Sequence, residues 1–87
     1  MAAAAVQSPV ELGRLLASAR GYKVLAHGGA ALGALERVRY EHHVSRPDDI
    51  VVCSRRLIRR RRRTFPFAAI AAISARENKV MLRADAL

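Results

Sequence analysis

Cysteine and aromatic residues are scarce in this 87-residue sequence, and each scarcity excludes a class of protein. Because the single cysteine, Cys53, cannot form an intrachain disulfide, the chain is not a disulfide-stabilised secreted domain. There is no tryptophan, and the aromatic residues are two tyrosines and two phenylalanines. A core built mainly from alanine and aliphatic side chains must be thin, or it must be completed by a partner.

Long apolar runs are also missing. No stretch approaches the ~18–20 apolar residues that span a bilayer. Residues 1–6 lack the basic segment and the long apolar segment of a secretory signal. With the lone cysteine, these absences lead us to expect a cytoplasmic protein without a transmembrane segment.

Acidic residues are few, and the imbalance is concentrated in one part of the chain. The sequence has 16 lysines and arginines against seven acidic residues, a formal net charge of +9. Residues 51–87 carry ten of the basic side chains and only two of the acidic ones. Such a positive field favours RNA, DNA, an acidic protein face or an anionic membrane surface as the partner.

The N-terminal segment predicts a short amphipathic helix over about residues 9–20. Ser8 is placed to cap it, Pro9 suits its first position, and Gly21 suits its end. An apolar stripe recurs at helical spacing along it, formed by Leu12, Leu15, Leu16 and Ala19. We expect residues 1–20 to form a flexible lead and this helix. The stripe either covers an open end of the remaining domain or mediates dimerisation.

After Gly21 the pattern changes to short strands separated by turns. Residues 23–27 form an extended run closed by Gly28-Gly29, and apolar residues alternate with polar ones from Arg37 to Val44. Residues 50–53 are typical of a central strand, Pro66 favours an edge strand, and a final pair is joined at Glu77-Asn78. An all-helical fold competes in the alanine-rich stretches, but the alternation disfavours it.

The order of these features resembles a PRC-barrel domain over about residues 21–83. The family's opening glycine, short strand, glycine turn and second glycine match Gly21 to Gly33, and a long strand matches Ala34 to Val44. An acidic turn and apolar strand match residues 48–52, and an arginine-rich loop followed by a proline-containing strand matches residues 59–70. The appended helix and the many alanines depart from the family's pattern.

This resemblance implies a mainly β fold, a small barrel of about five or six strands in residues 21–87, preceded by the short N-terminal α-helix. PRC barrels bind other proteins or assemblies, including the ribosome. The resemblance therefore implies a binding module rather than a chemistry, because the fold carries no reaction of its own.

The strongest candidate for a partner-binding site is the arginine cluster. Seven arginines occur within nine residues (55–63), and guanidinium groups suit contacts to phosphate or carboxylate. If residues 59–63 were extended, the odd-numbered arginines would face one way and the even-numbered ones the other. Leu57 and Ile58 form an apolar pair that either docks on a protein or folds back over the barrel. The predicted site comprises Arg55, Arg56, Leu57, Ile58, Arg59, Arg60, Arg61, Arg62 and Arg63.

The residues that could hold a metal or perform catalysis form no recognisable motif. Adjacent His42 and His43 would point to opposite faces of a strand, so we expect no metal site. Cys53 lies in an apolar run and is interpreted as a small buried side chain, and Asp48-Asp49 as a turn. We therefore predict no catalytic residue and no cofactor.

These observations predict a non-enzymatic basic adaptor that docks on a protein or ribonucleoprotein assembly through an arginine-rich edge. One alternative is a structural subunit of a larger complex or homodimer, whose core is completed by its neighbours. The other is direct nucleic-acid binding through the same cluster.

Overall fold

The structure, a computed structural model, describes residues 7–42, 47–56 and 59–84. Its elements are helix α1 (Pro9–Leu16), strands β1 (Lys23–Leu25), β2 (Ala31–Arg39), β3 (Asp49–Arg56), β4 (Arg59–Pro66), β5 (Ile70–Ser74) and β6 (Lys79–Leu82), and a 3₁₀ turn at Phe67–Ala69. The predicted mainly β fold with a short N-terminal helix is confirmed.

All six strands belong to one sheet in the order β4-β3-β2-β1-β6-β5. The β1–β6 pair is parallel and the other neighbours are antiparallel. The strand number agrees with the expected barrel, but within the described residues no hydrogen-bonded pairing joins β4 to β5. Pro66, which has no N–H to donate, ends β4, and the 3₁₀ turn then leads the chain to the opposite edge.

Helix α1 is shorter than predicted, because its last turn tightens. The Ser8 hydroxyl accepts from the Glu11 amide as expected, and Gly21 follows with a φ of 89°. Amides 17–19 donate to carbonyls three residues back, so the regular helix ends at Leu16 rather than residue 20. The leucine stripe faces the core of the same chain. No helix in the three described ranges is long and apolar enough to cross a membrane.

Strand β2 is displaced toward the N-terminus relative to the prediction, which placed it at Ala34 to Val44. It ends at Arg39, and the Asp48 side chain accepts hydrogen bonds from the backbone amides of Glu41 and His42. A side chain that takes these amides competes with ladder pairing, so the alternating pattern does not continue as a strand. His43 and Val44 lie outside the described residues.

The buried apolar side chains of the described residues form a core against the sheet. It includes Leu12, Leu16, Ala19, Val24, Leu35, Ile50, Val52, Phe65, Phe67, Ala69, Ile70, Ile73, Val80 and Leu82. Gly33 enables the close approach of β2 to β3: its φ is 148°, and a Cβ there would lie 2.5 Å from the Cys53 carbonyl oxygen. On β3 and β4 the buried positions end at Val52 and Phe65, and the hairpin continues beyond them with half-buried and exposed side chains.

Candidate functional site

The clustered arginines lie on paired strands and not in the loop that the family resemblance implied. Residues Ser54, Arg55 and Arg56 of β3 pair with Arg61, Arg60 and Arg59 of β4, and the ladder continues unbroken to Asp49 and Pro66. The buried β3 segment from Ile50 to Val52 holds this hairpin in register, so pairing extends past the core. We call residues 54–56 and 59–63 the arginine arm. Leu57 and Ile58, also predicted for the site, lie outside the described residues.

Both faces of the arginine arm carry positive charge. Side chains alternate along a strand, so the three odd-numbered arginines of β4 lie on the face of the buried Phe65. The two even-numbered ones lie on the opposite face, with Arg55 beside them because it is registered with Arg60. The exposed arginines of the arm are Arg55, Arg59, Arg60, Arg61, Arg62 and Arg63.

Among the described residues, one carboxylate contacts the arm. Glu36 on β2 accepts from Nε and Nη2 of Arg62 at 2.6 and 3.1 Å, a two-point contact across β3. The hydrogen bond from Arg62 lowers the pKa of Glu36, and the charges of Arg62, Arg37 and Arg60 add to this effect. The same hydrogen bond raises the pKa of Arg62. The pair orients Arg62 more than it stabilises the fold, because exposed ion pairs contribute only about 0–1 kcal/mol.

Arg63 is oriented by an aromatic ring. Its guanidinium carbon lies 5.2 Å from the ring centre of Phe65, at cation–π distance. Phe65 and Phe67 belong to the core, as the sequence predicted. Both of these arginines are therefore held by neighbours within the chain.

The other exposed arginines of the arm have no such support. Within the described parts of the chain, Arg55, Arg59, Arg60 and Arg61 have no carboxylate within salt-bridge distance. Arg55 lies directly opposite Arg60, and like charges in that position destabilise a strand pair. The end of the arm thus presents guanidinium groups whose mutual repulsion a negatively charged partner would relieve.

A groove of about 780 Å³ runs between the end of α1 and Arg62. Buried Leu16 and Leu35 line it together with half-buried Val38, and two further arginines, Arg20 and Arg37, border it. The sequence prediction missed Arg20, Glu36 and Arg37. Glu36 and Arg37 lie where β2 shifts its register against β3, between Leu35 and Arg37, and Arg20 follows α1.

A second polar cluster lies in the connection between β2 and β3. His42 Nδ1 is 3.0 Å from Asp48 Oδ1, and the Asp48 carboxylate also accepts from the amides of Glu41 and His42. The hydrogen bond with His42, aided by these amides, lowers the pKa of Asp48 to about 2, and the same carboxylate raises the pKa of His42. A metal ion could be shared by three side chains of this cluster, those of Glu41, His42 and Asp48. In this structure the Asp48 carboxylate already accepts hydrogen bonds from the amides of the other two residues.

The other described cysteine and histidine, Cys53 and His27, lie in different segments of the fold. Cys53 is half-buried in β3 and registered with Arg62, whereas the sequence interpretation made it a small buried side chain. His27 is exposed in the glycine turn before β2. The arginine arm is accordingly the densest grouping of functional side chains that the described residues present. In comparisons with known proteins, no family model and no curated protein matched the sequence.

Proposed function

We propose that this chain is a non-enzymatic binding module that docks on a protein or ribonucleoprotein assembly through the arginine arm. The observation that carries the proposal is the set of exposed arginines at the end of the β3–β4 hairpin without carboxylate partners in the described structure. Folding does not require these charges, since the core ends at Val52 and Phe65. A role in binding explains why the ladder extends beyond the core with arginine on both faces.

The resemblance to PRC barrels supports the same proposal, because that family serves as a docking module in larger assemblies. The lone cysteine supports a cytoplasmic setting. Direct nucleic-acid binding is the second candidate function, favoured by the net charge of +9.

The test compares two triple variants of equal charge. One replaces Arg59, Arg60 and Arg61 with Ser, and the matched control replaces the exposed Arg14, Lys23 and Arg76 with Ser. Binding is measured to poly-L-glutamate and to a 20-nucleotide oligouridylate at several salt concentrations. Circular dichroism checks that both variants fold.

The arm variant should lose about tenfold in affinity for one of these polyanions, because removing three ion pairs of about 0.5 kcal/mol each costs about 1.4 kcal/mol. The control variant should lose about threefold or less. Equal losses in the two variants would mean that net charge alone governs binding, and the proposal would be wrong.

A further inference from the structure

The far side of β4 is an open sheet edge. β4 stands first in the strand order and pairs with β3 alone among the described strands. An edge strand directs every second N–H and C=O away from its neighbour, where an extended chain can pair with them. Residues 59–64 of this edge are exposed, a length of roughly 20 Å at about 3.4 Å per residue.

The opposite edge of the sheet, β5, is partly covered. The Gln7 side chain donates to the Ile73 carbonyl at 2.9 Å and accepts from the Ile73 amide at 2.7 Å, as a neighbouring peptide group would. Helix α1 also lies against β5. A partner chain can therefore reach the backbone of β4 more readily than that of β5.

The charges beside the β4 edge select the kind of chain that would pair with it. An added strand places its side chains on both faces of the sheet, opposite or diagonal to those of β4. Glutamates and aspartates on both faces of that strand would meet both sets of arginines, the odd-numbered and the even-numbered. A nucleic-acid backbone lying along one face would meet only one set. The described part of the arm also has no exposed aromatic side chain for base stacking.

A second copy of this chain is a poor occupant for the same edge. Pairing β4 with β4 would bring arginine against arginine along the five-residue run from Arg59 to Arg63. Directly opposed like charges destabilise a strand pair, and charged edges commonly prevent such self-association. Charge complementarity thus identifies an acidic partner.

We infer that the arginine arm binds an acidic, extended protein segment of about six residues, which adds to β4 as a seventh strand of the sheet. This inference rests on the proposed function and names its partner class. Backbone hydrogen bonds to the β4 edge hold the segment, and its carboxylates contact arginines on both faces.

Three probes of equal charge test the inference. The first is a capped eight-residue peptide, Val-Glu-Glu-Thr-Val-Glu-Glu-Thr, which places two glutamates on each face when extended. The second is the same peptide with four backbone N-methyl groups, two on each of its edges, which keep the charge and block strand pairing. The third is an oligouridylate with four phosphodiesters. Affinities are measured by fluorescence anisotropy on the full chain, and amide hydrogen exchange is followed in β4.

The unmodified peptide should bind at least about tenfold more tightly than either control, because only it combines edge hydrogen bonds with charges on both faces. Its binding should also slow amide exchange within residues 59–64. If the N-methylated peptide binds within about threefold, or the oligouridylate binds as tightly, strand addition is wrong while docking through the arm stands. If no probe binds even at low salt, both the inference and the proposed function are wrong.

Discussion

The two edges of the sheet, β4 and β5, are protected by opposite means. β5 buries Ile70 and Ile73, lies against α1, and has the backbone of Ile73 covered by Gln7. β4 buries only Phe65. The rest of the strand is exposed, and its arginines repel a second edge of the same charge. An edge that is covered contributes to the core, whereas an edge protected by like charges remains accessible to a chain of opposite charge. We therefore expect β5 to contribute mainly to stability and β4 mainly to binding.

The largest effect that sharpens this comparison is expected at Ile73 of β5. Its side chain is 3% exposed, so Ile73→Ala should lower the free energy of unfolding by about 2–5 kcal/mol through lost burial and a cavity. The matched change on the other edge, Arg61→Ser, should alter it by less than about 0.5 kcal/mol. Urea unfolding followed by circular dichroism measures both. Comparable losses at the two positions would show that the arm supports the fold as much as β5 does.

A smaller effect is expected at Gln7, whose amide group covers the edge of β5. Gln7→Ala removes two hydrogen bonds to Ile73 and should cost about 1–3 kcal/mol. The variant should also self-associate as its concentration rises, because β5 lacks the repelling arginines of β4. Urea unfolding and light scattering test these two results. Gln7→Glu is the control, since it retains an acceptor for the Ile73 amide but loses the donor. A monomeric Gln7→Ala variant of unchanged stability would contradict this account of the edge.

The smallest effect is a pH dependence at the base of the open edge, where the Asp48 carbonyl accepts from the Phe67 amide after β4. The pKa of Asp48 is lowered to about 2, so its contribution is present above its ordinary value of 3.8 and is lost as pH falls through about 2. The pKa of His42 is raised, so its contribution is complete below its ordinary value of 6.5 and is lost as pH rises through the raised pKa. Stability from this pair should therefore be greatest between about pH 4 and 6.5.

Asp48→Asn should flatten both limbs of that profile, the loss of stability at low pH and the loss at high pH. Urea midpoints measured from pH 2.5 to 8.5 test this. His42→Gln should remove the alkaline limb and reduce the acid limb to the part that the backbone amides of Glu41 and His42 supply, because the His42 side chain contributes most to the lowered pKa of Asp48. A wild-type profile that coincides with that of Asp48→Asn would show that the pair makes no contribution in solution.

Local chemistry predicted the elements whose structure depends on nearby residues. Ser8 caps α1, Gly28 and Gly29 adopt positive φ in the turn after β1, and Asn78 does so between β5 and β6. The prediction of β2 was wrong at residues 40–42, because Asp48, only six or seven residues further along the chain, accepts from the amides of Glu41 and His42. The prediction of a barrel gave the right number of strands, but it contained no information on whether β4 would meet β5.

The candidate site divides in the same way. The density of arginine and the alternation of its two faces follow from the sequence once the segment is extended. That the segment is a strand depends on pairing with β3, and so does the contact of Arg62 with Glu36, whereas Arg63 meets Phe65 two residues along the same strand. Sequence spacing does not report such contacts, because Glu36 and Arg62 are 26 residues apart.

By itself, the sequence determined that this protein is small, basic and mainly β, with a capped N-terminal helix and a cluster of arginines. Composition and short-range periodicity suffice for these properties because they arise from residues close together in the chain. Only the tertiary structure decided that the arginines lie on an edge strand, that Gln7 covers the other edge, and that Glu36 holds a single arginine of the arm. These features depend on strand order and register, which long-range packing of the core selects from the alternatives that local patterns leave open.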